Sequence, residues 1–366
     1  MKRAARELGN ILSPGAEPVL VYRWDADGLV AAITLLQAYQ GDREEIELRP
    51  PEFTLAFRAG DLLRGVKGRP VVFLGLTPTP SQLMELREIT DRIIVIDNNY
   101  VDWEQSGDVV YYNPAARGDI RGEWPSASWV LASLLGEYVP ILVAVSVVSR
   151  LGGAAKGNGV YARLMKQAGL DPVRDYEIPA EVAARLDSIH ASCKYNGLTW
   201  YPRLLTEPTV NPAKGALEDV YLAQLQALVD YEVTAAVEAI MSSGLREICP
   251  GVLLAETNID VNSSTTLTRA LLERLHGRAS IVFVKARTGC TVKGVVHVAS
   301  WKIEARDSLL RVYRRWRDEG IPVEASLTRG FLHVWGEAGS RLGEAVDRAL
   351  EVLCGGKEAQ QDKGGG

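Results

Sequence analysis

The sequence predicts an α/β protein: an N-terminal parallel sheet flanked by helices, a helical connector, and a smaller C-terminal α/β domain. Three observations lead there. The chain has 366 residues, about twice a common domain length. Its first half alternates short apolar runs with amphipathic stretches. The runs are nearly continuous in β-branched and aliphatic residues, with none of the polar alternation of a half-exposed strand, as a parallel sheet covered on both faces requires.

Taken in order, residues 18–23 read as a buried strand and 29–39 as an amphipathic helix. Residues 71–74, before a Thr-Pro-Thr-Pro turn, and 93–96, ending in Asp97, are further strands, and 109–112 is a fourth candidate. Helices are expected over 126–135 and 139–151, the second apolar nearly all round and therefore central. The glycine-rich stretch 152–159 lacks the spacing of a phosphate-cradling loop and reads as a plain loop. Helical patterns resume over 179–191 and 217–242, with an irregular stretch at 200–214 between them. Strands at 252–255, 281–284, 292–299 and 331–335, with helices at 265–276, 306–319 and 340–353, complete the second domain. These elements give domain limits of 1–190, 191–245 for the connector, 246–355, and a disordered Gly/Lys/Gln-rich tail at 356–366. No internal repeat is visible.

With 47% hydrophobic and 24% charged residues the composition is that of a folded, soluble protein. A chain this long buries a large core without needing a disulfide or a metal. The cysteines at 193, 249, 290 and 354 form no CxxC pair. That excludes an ordinary zinc knuckle and leads to the expectation of a reducing, cytoplasmic compartment. No run approaches the roughly 18 apolar residues of a membrane span, so no membrane partner is expected. The start, Met1 to Glu7, has no apolar run behind it, so no signal peptide is expected. The net charge of −5 requires any nucleic-acid contact to come from a local basic patch.

Ligands of open parallel sheets gather at the carboxyl ends of the strands. Three acids fall there: Asp25 and Asp27 in Arg23-Trp24-Asp25-Ala26-Asp27-Gly28, and Asp97 in Ile96-Asp97-Asn98-Asn99. Converging carboxylates can hold divalent cations for phosphodiester chemistry. The same residues equally suit structural duties, since an Asp before a helix caps it and Asp-Asn-Asn is ordinary turn material.

Strand–Asp-Ala-Asp-Gly–helix, followed some 70 residues later by strand–Ile-Asp-X-X, resembles the DHH phosphoesterase superfamily, which includes the RecJ single-strand nucleases. The resemblance covers the order of elements over about residues 15–155, and a second domain behind a connector matches the family layout. It implies a first motif His-x-Asp-x-Asp-Gly, an Asp ending a middle strand, an Asp-His-His motif, and a fourth Asp. Here Arg23 stands in place of the first-motif His, residues 71–74 lead into Gly75-Leu76-Thr77 with no acid, Asn98 and Asn99 replace both histidines, and Arg150 falls on the fourth Asp. Amides are poor substitutes for imidazole ligands, and a guanidinium is always charged and cannot ligate a metal. Asp25, Asp27 and Asp97 are therefore expected as remnants of a dead hydrolytic site with no metal. The alternative is a divergent single-strand exonuclease or small phosphodiesterase using these aspartates with Mn²⁺ or Mg²⁺; a third reading is a cleft that binds a nucleotide without cleaving it. The family's Gly-Gly-His-type loop corresponds to Gly320–Leu327 here, without paired glycines or the histidine.

A DHH fold stripped of its ligands resembles the Cdc-forty-five/RecJ-like subunits of the archaeal and eukaryotic CMG replicative helicase, and the short chain favours the archaeal form. That resemblance implies a non-catalytic scaffold at the replication fork with the GINS complex and the MCM helicase as partners, and single-stranded DNA as a candidate contact. Arg311, Arg314, Arg315 and Arg317 spread over the outer side of a helix whose Leu309, Tyr313 and Trp316 share an inward face. They could meet phosphates or an acidic partner, or simply form a solvated face. Trp124 and Trp200 lie in aromatic-rich loop segments suited either to anchoring a partner or to half-burial. His190, His276, His297 and His333 are too scattered for a metal site or a triad, and Cys193, three residues after His190, lacks companions for four ligands. Ser126 and Ser128 read as helix caps.

Overall fold

The computed structural model describes residues 1–51, 57–103, 109–207, 210–275, 281–288 and 293–355, with the backbone alone at 281–288 and 293. The expected tail at 356–366, together with His276 and Cys290, lies outside the described residues. The chain forms two compact units. The first comprises residues 1–190 and 194–226; the second comprises 191–193 and 227 onward. The stretch 191–245, expected as a connector, is thus shared between them.

In chain order the first unit contains α1 (Lys2–Ile11), β1 (Val19–Tyr22), α2 (Ala26–Ala38), β2 (Glu47–Leu48), α3 (Ala59–Leu62), β3 (Val71–Leu74), α4 (Pro80–Ile89), β4 (Ile93–Ile96) and β5 (Val110–Tyr112). Helices α5 (Ala127–Leu135), α6 (Pro140–Leu151), α7 (Gly159–Gln167), α8 (Glu177–Ala191), α9 (Asn196–Leu204) and α10 (Pro212–Glu218) follow, and α11 (Val220–Ala239) runs on into the second unit. The five strands are all parallel in the order β2-β1-β3-β4-β5. Every residue of β1, β3 and β4 is buried, as the unbroken apolar runs require. Val19, Val21, Val71, Phe73, Ile93 and Val95 pack on one face with Leu63, Leu83 and Leu86 from around α3 and α4. After β1 the chain adds β2 on one side, then returns to add β3 on the other. The resulting reversal opens a crevice at the carboxyl ends of β1 and β3.

The second unit holds β6 (Leu245–Cys249), β7 (Val252–Ile259), α12 (Ser264–Arg274), β8 (Ile281–Thr288), β9 (Lys293–Ser300), α13 (Arg306–Asp318), β10 (Val323–Thr328), β11 (Phe331–Glu337) and α14 (Leu342–Cys354). Its six-stranded sheet runs β10-β11-β9-β8-β7-β6, antiparallel except for β7 with β8. Trp316 is fully buried and donates from Nε1 to the Ala345 carbonyl at 2.9 Å, tying α13 to α14.

Several sequence expectations are corrected. Within the stretch 200–214, residues 200–204 and 212–214 are helical, in α9 and α10. The glycine-rich loop 152–159 carries a 3₁₀ turn at Gly152–Gly157 and then enters α7. The segment matched to a Gly-Gly-His loop is mostly strand β10. Cys249 and Cys354 form a disulfide with Cα atoms 5.9 Å apart. Distance along the chain, 105 residues, hides a pair that the packing of α14 beside β6 brings together, so the cysteines give no support to a reducing compartment. Among the described residues no helix is long and apolar enough to cross a membrane.

Candidate functional site

The crevice is built where the neighbouring strands β1, β3 and β4 end. Leaving β1, the chain turns through Arg23 and Trp24 into α2, which Asp25 caps by accepting from the Gly28 amide at 3.0 Å. Gly28 is obligatory, since a Cβ there would lie 1.9 Å from the Arg23 carbonyl oxygen. Asp25 also pairs with Arg23, Nε to Oδ2 at 2.7 Å. Asp27 turns inward and accepts from the Ala127 and Ser128 amides, both at 2.9 Å, while the Ser128 hydroxyl donates to it at 2.8 Å. A carboxylate thus sits on the amino end of α5, where free N–H groups and the helix dipole favour negative charge. Ser126 caps that helix through the Trp129 amide.

Asp97, fully buried at the end of β4, accepts from the Asn98 and Asn99 amides at 2.8 and 3.3 Å, from the Asn99 side chain at 3.0 Å, and from the Thr77 hydroxyl at 2.6 Å. Thr77 thus occupies, as a hydroxyl donor, the place where an acid after β3 was missed. Asn98 donates to the Trp124 carbonyl at 3.2 Å. Arg150, near the end of α6, reaches into the middle. It donates to Asn99 Oδ1 at 2.6 Å and stands 3.6 Å from Asp25 and 4.0 Å from Asp27. The crevice therefore contains two buried guanidiniums against three carboxylates.

The balance shifts each acid differently. Burial alone would raise Asp25, but Arg23, Arg150 and the Gly28 amide outweigh it and hold the carboxyl below its ordinary value. Burial and the neighbouring Asp25 push Asp27 up to about 6, against the pull of Arg150 and the two α5 amides. Burial raises Asp97 in spite of its donors.

No family model matches the chain, and no curated protein matches it in sequence. Solved structures do resemble it. A DHH-domain protein described as a member of the s1p family of ribosomal proteins superposes with a TM-score of 0.58 at 15% identity, over 96% of this chain and 90% of the other. RecJ from Thermus thermophilus in complex with Mn²⁺ superposes at 0.57 and 17% identity over 95% of this chain, which spans 53% of that RecJ. An exonuclease RecJ bound to manganese gives 0.55 at 18% identity, over 96% and 94% of the two chains. The fold is DHH/RecJ-like.

Whether the crevice of this DHH/RecJ-like fold fits a divalent cation depends on its donors. Both oxygens of Asp27 and both of Asp97 already accept hydrogen bonds, and Asp25 is held by Arg23 and the Gly28 amide. Among the described residues no three His, Cys, Asp or Glu side chains converge as a cation ligand set. A guanidinium fills the middle of the crevice, where its charge opposes a second cation. The residues present do not fit the metal.

Two residues of α8 border the crevice: Asp187, which the sequence reading misses, and His190, which it names only among the scattered histidines. Asp187 of α8 accepts from the Ala26 amide at 2.6 Å and from the Ser149 hydroxyl at 3.0 Å, fixing α2 and α6 beside the crevice. His190, one turn further along α8, stacks on Trp24 with ring centroids 5.2 Å apart. Burial, with Arg23 nearby, depresses it to about 3 although Asp25 acts in the opposite sense. The available signal was an acid and a histidine at i and i+3 on the apolar face of a helix. Cys193 is disulfide-bonded, which removes it as a partner for His190 in metal binding.

In the second unit, Leu309, Tyr313 and Trp316 are buried as expected. The α13 arginines are largely engaged. Arg311 donates to Ser308, Arg315 pairs with Glu319 at 2.7 Å and lies 3.8 Å from Glu351, and Arg317 pairs with Asp318 at 2.7 Å; Arg314 lies on the exposed side. His297 is buried against Ser264, and His333 stacks on Phe331. Trp124 is half-buried, whereas Trp200 is 55% exposed.

Proposed function

We propose that this chain is a non-hydrolytic RecJ-like replication subunit of the Cdc-forty-five kind, a scaffold that binds GINS and, with it, MCM. One observation carries the loss of hydrolysis: Arg150 spans the crevice from Asn99 to Asp25 and Asp27, where phosphoesterase chemistry would need two cations about 3.5–4 Å apart. With the carboxylates committed to amides, hydroxyls and guanidiniums, no ligand set remains among the described residues to lower the pKa of a water or to stabilise a leaving oxygen. A fold kept in good order around a spent crevice serves by its surface. The GINS and MCM partners follow from the resemblance of the degenerate motifs to that family.

Two measurements test the proposal. Incubation with labelled single-stranded DNA and with dinucleotides in Mn²⁺ is expected to give no turnover; turnover abolished by Asp27→Ala would establish the exonuclease or phosphodiesterase alternative instead. Purified GINS is expected to co-elute with the chain in gel filtration. Separate elution at micromolar concentrations removes the scaffold reading while leaving the fold untouched.

A further inference from the structure

In the second unit a disulfide joins the outer strand of the sheet to the last helix. Cys249 is the last residue of β6, the outer strand of the six-stranded sheet, and Cys354 is the last residue of α14. Both termini are weakly held by packing. The three central residues of β6 are exposed, and among the described residues the strand pairs with β7 alone. The buried face of α14 is Leu342, Ala345, Val346 and Ala349, leaving its last turn half-buried. The bond closes a loop of 105 residues, a length at which cross-linking removes much of the freedom of the unfolded chain. No cysteine among the described residues is free.

We propose that Cys249 and Cys354 are a site of oxidative modification in the working protein, and that this disulfide staples the C-terminal helix to the outer strand. In forming it the two thiols lose two protons and two electrons to a small-molecule or protein disulfide, which leaves as two thiols. The chain works where such a bond persists, in an oxidising compartment or in a cytosol that tolerates structural disulfides, as in hyperthermophiles. This inference does not depend on the proposed function.

The deciding experiment blocks free thiols with iodoacetamide as the native cells are broken, then maps the peptides of the full-length chain by mass spectrometry. A cross-linked peptide pair containing Cys249 and Cys354 is expected; recovery of both residues alkylated overturns the proposal. A Cys249→Ser/Cys354→Ser double variant is expected to lower the thermal midpoint of the second unit by about 10 °C without added reductant. An unchanged midpoint would show that the bond staples nothing.

Discussion

Guanidinium groups meet carboxylates in two clusters, one in the crevice of the first unit and one along α13 and α14 of the second. Their pair distances are alike: Arg23 to Asp25 is 2.7 Å, and so is Arg315 to Glu319. Their surroundings differ. The Arg23 and Arg150 side chains are 7% and 5% exposed, whereas Arg315 is 44% exposed. In the crevice Arg23, Arg150, Asp27 and Asp97 have surrendered nearly all their water, while Asp25 keeps 20% exposure, so protein partners supply most of the solvation; on the helices water remains an alternative. The same contacts therefore carry different energetic weight, and each comparison below removes one partner.

The largest effect is expected from Arg150→Ala. Removing one partner of a buried ion pair strands the other charges in low dielectric, at a cost of about 3–5 kcal/mol. Urea unfolding at pH 7 should show that loss. A change below about 1 kcal/mol would mean that water already reaches the crevice and that the contrast with the helix cluster is false.

Next comes an effect that appears only on acidification. His190 is depressed to about 3 in the folded protein, while an unfolded histidine titrates near 6.5. Below that value the unfolded chain takes up a proton that the folded one refuses, so stability falls as pH drops from about 6.5 toward 3. At pH 5 this histidine alone should cost about 2 kcal/mol. Asp27, raised to about 6, works the other way, since its folded form binds the proton first. Comparing the wild type with His190→Phe, which keeps an aromatic ring against Trp24, cancels the Asp27 contribution. The difference should grow steadily between pH 7 and pH 5; a flat difference would place His190 in contact with water.

Thr77→Val removes a hydroxyl that donates to Asp97 and also meets the Tyr111 hydroxyl. Asp97 would lose its 2.6 Å hydroxyl but keep two amides and the Asn99 side chain. The cost should fall at the low end for an under-satisfied buried acceptor, about 1 kcal/mol.

What could be read from the sequence follows from the range of the forces involved. β1, β3 and β4 were legible because burial on both faces dictates an unbroken apolar run. β2, only two residues long, leaves no pattern to find, and β10 reads as a loop when Gly320–Leu327 is matched to the family's Gly-Gly-His-type loop. In the crevice, Asp25, Asp27 and Asp97 are visible from their position after strands; of the two duties weighed for Asp25, cation ligand and helix cap, the structure shows the cap, and Asp25 also pairs with Arg23. Contacts over long separations were not visible. Asp27 meets Ser128 across 101 residues, and Ala26 meets Asp187 across 161. Nothing local in α8 announces that its acid faces the amino end of α2.

The smallest effect belongs to Arg315→Ala on the exposed side of the comparison. Arg315 and Glu319 are an i, i+4 pair with the base first, the less favourable order relative to the helix dipole. Exposed pairs of this kind contribute about 0.2–1 kcal/mol, and this one should lie near the bottom of that range. Arg348 complicates the count because it also reaches Glu319, at 3.4 Å, and Glu351, at 2.8 Å. If the four groups act singly, Arg315→Ala and Arg348→Ala should add within about 0.5 kcal/mol in urea unfolding. If they act as one network, the double variant will depart from additivity by more than that. The helix cluster would then resemble the crevice, and exposure alone would not explain the difference between the two.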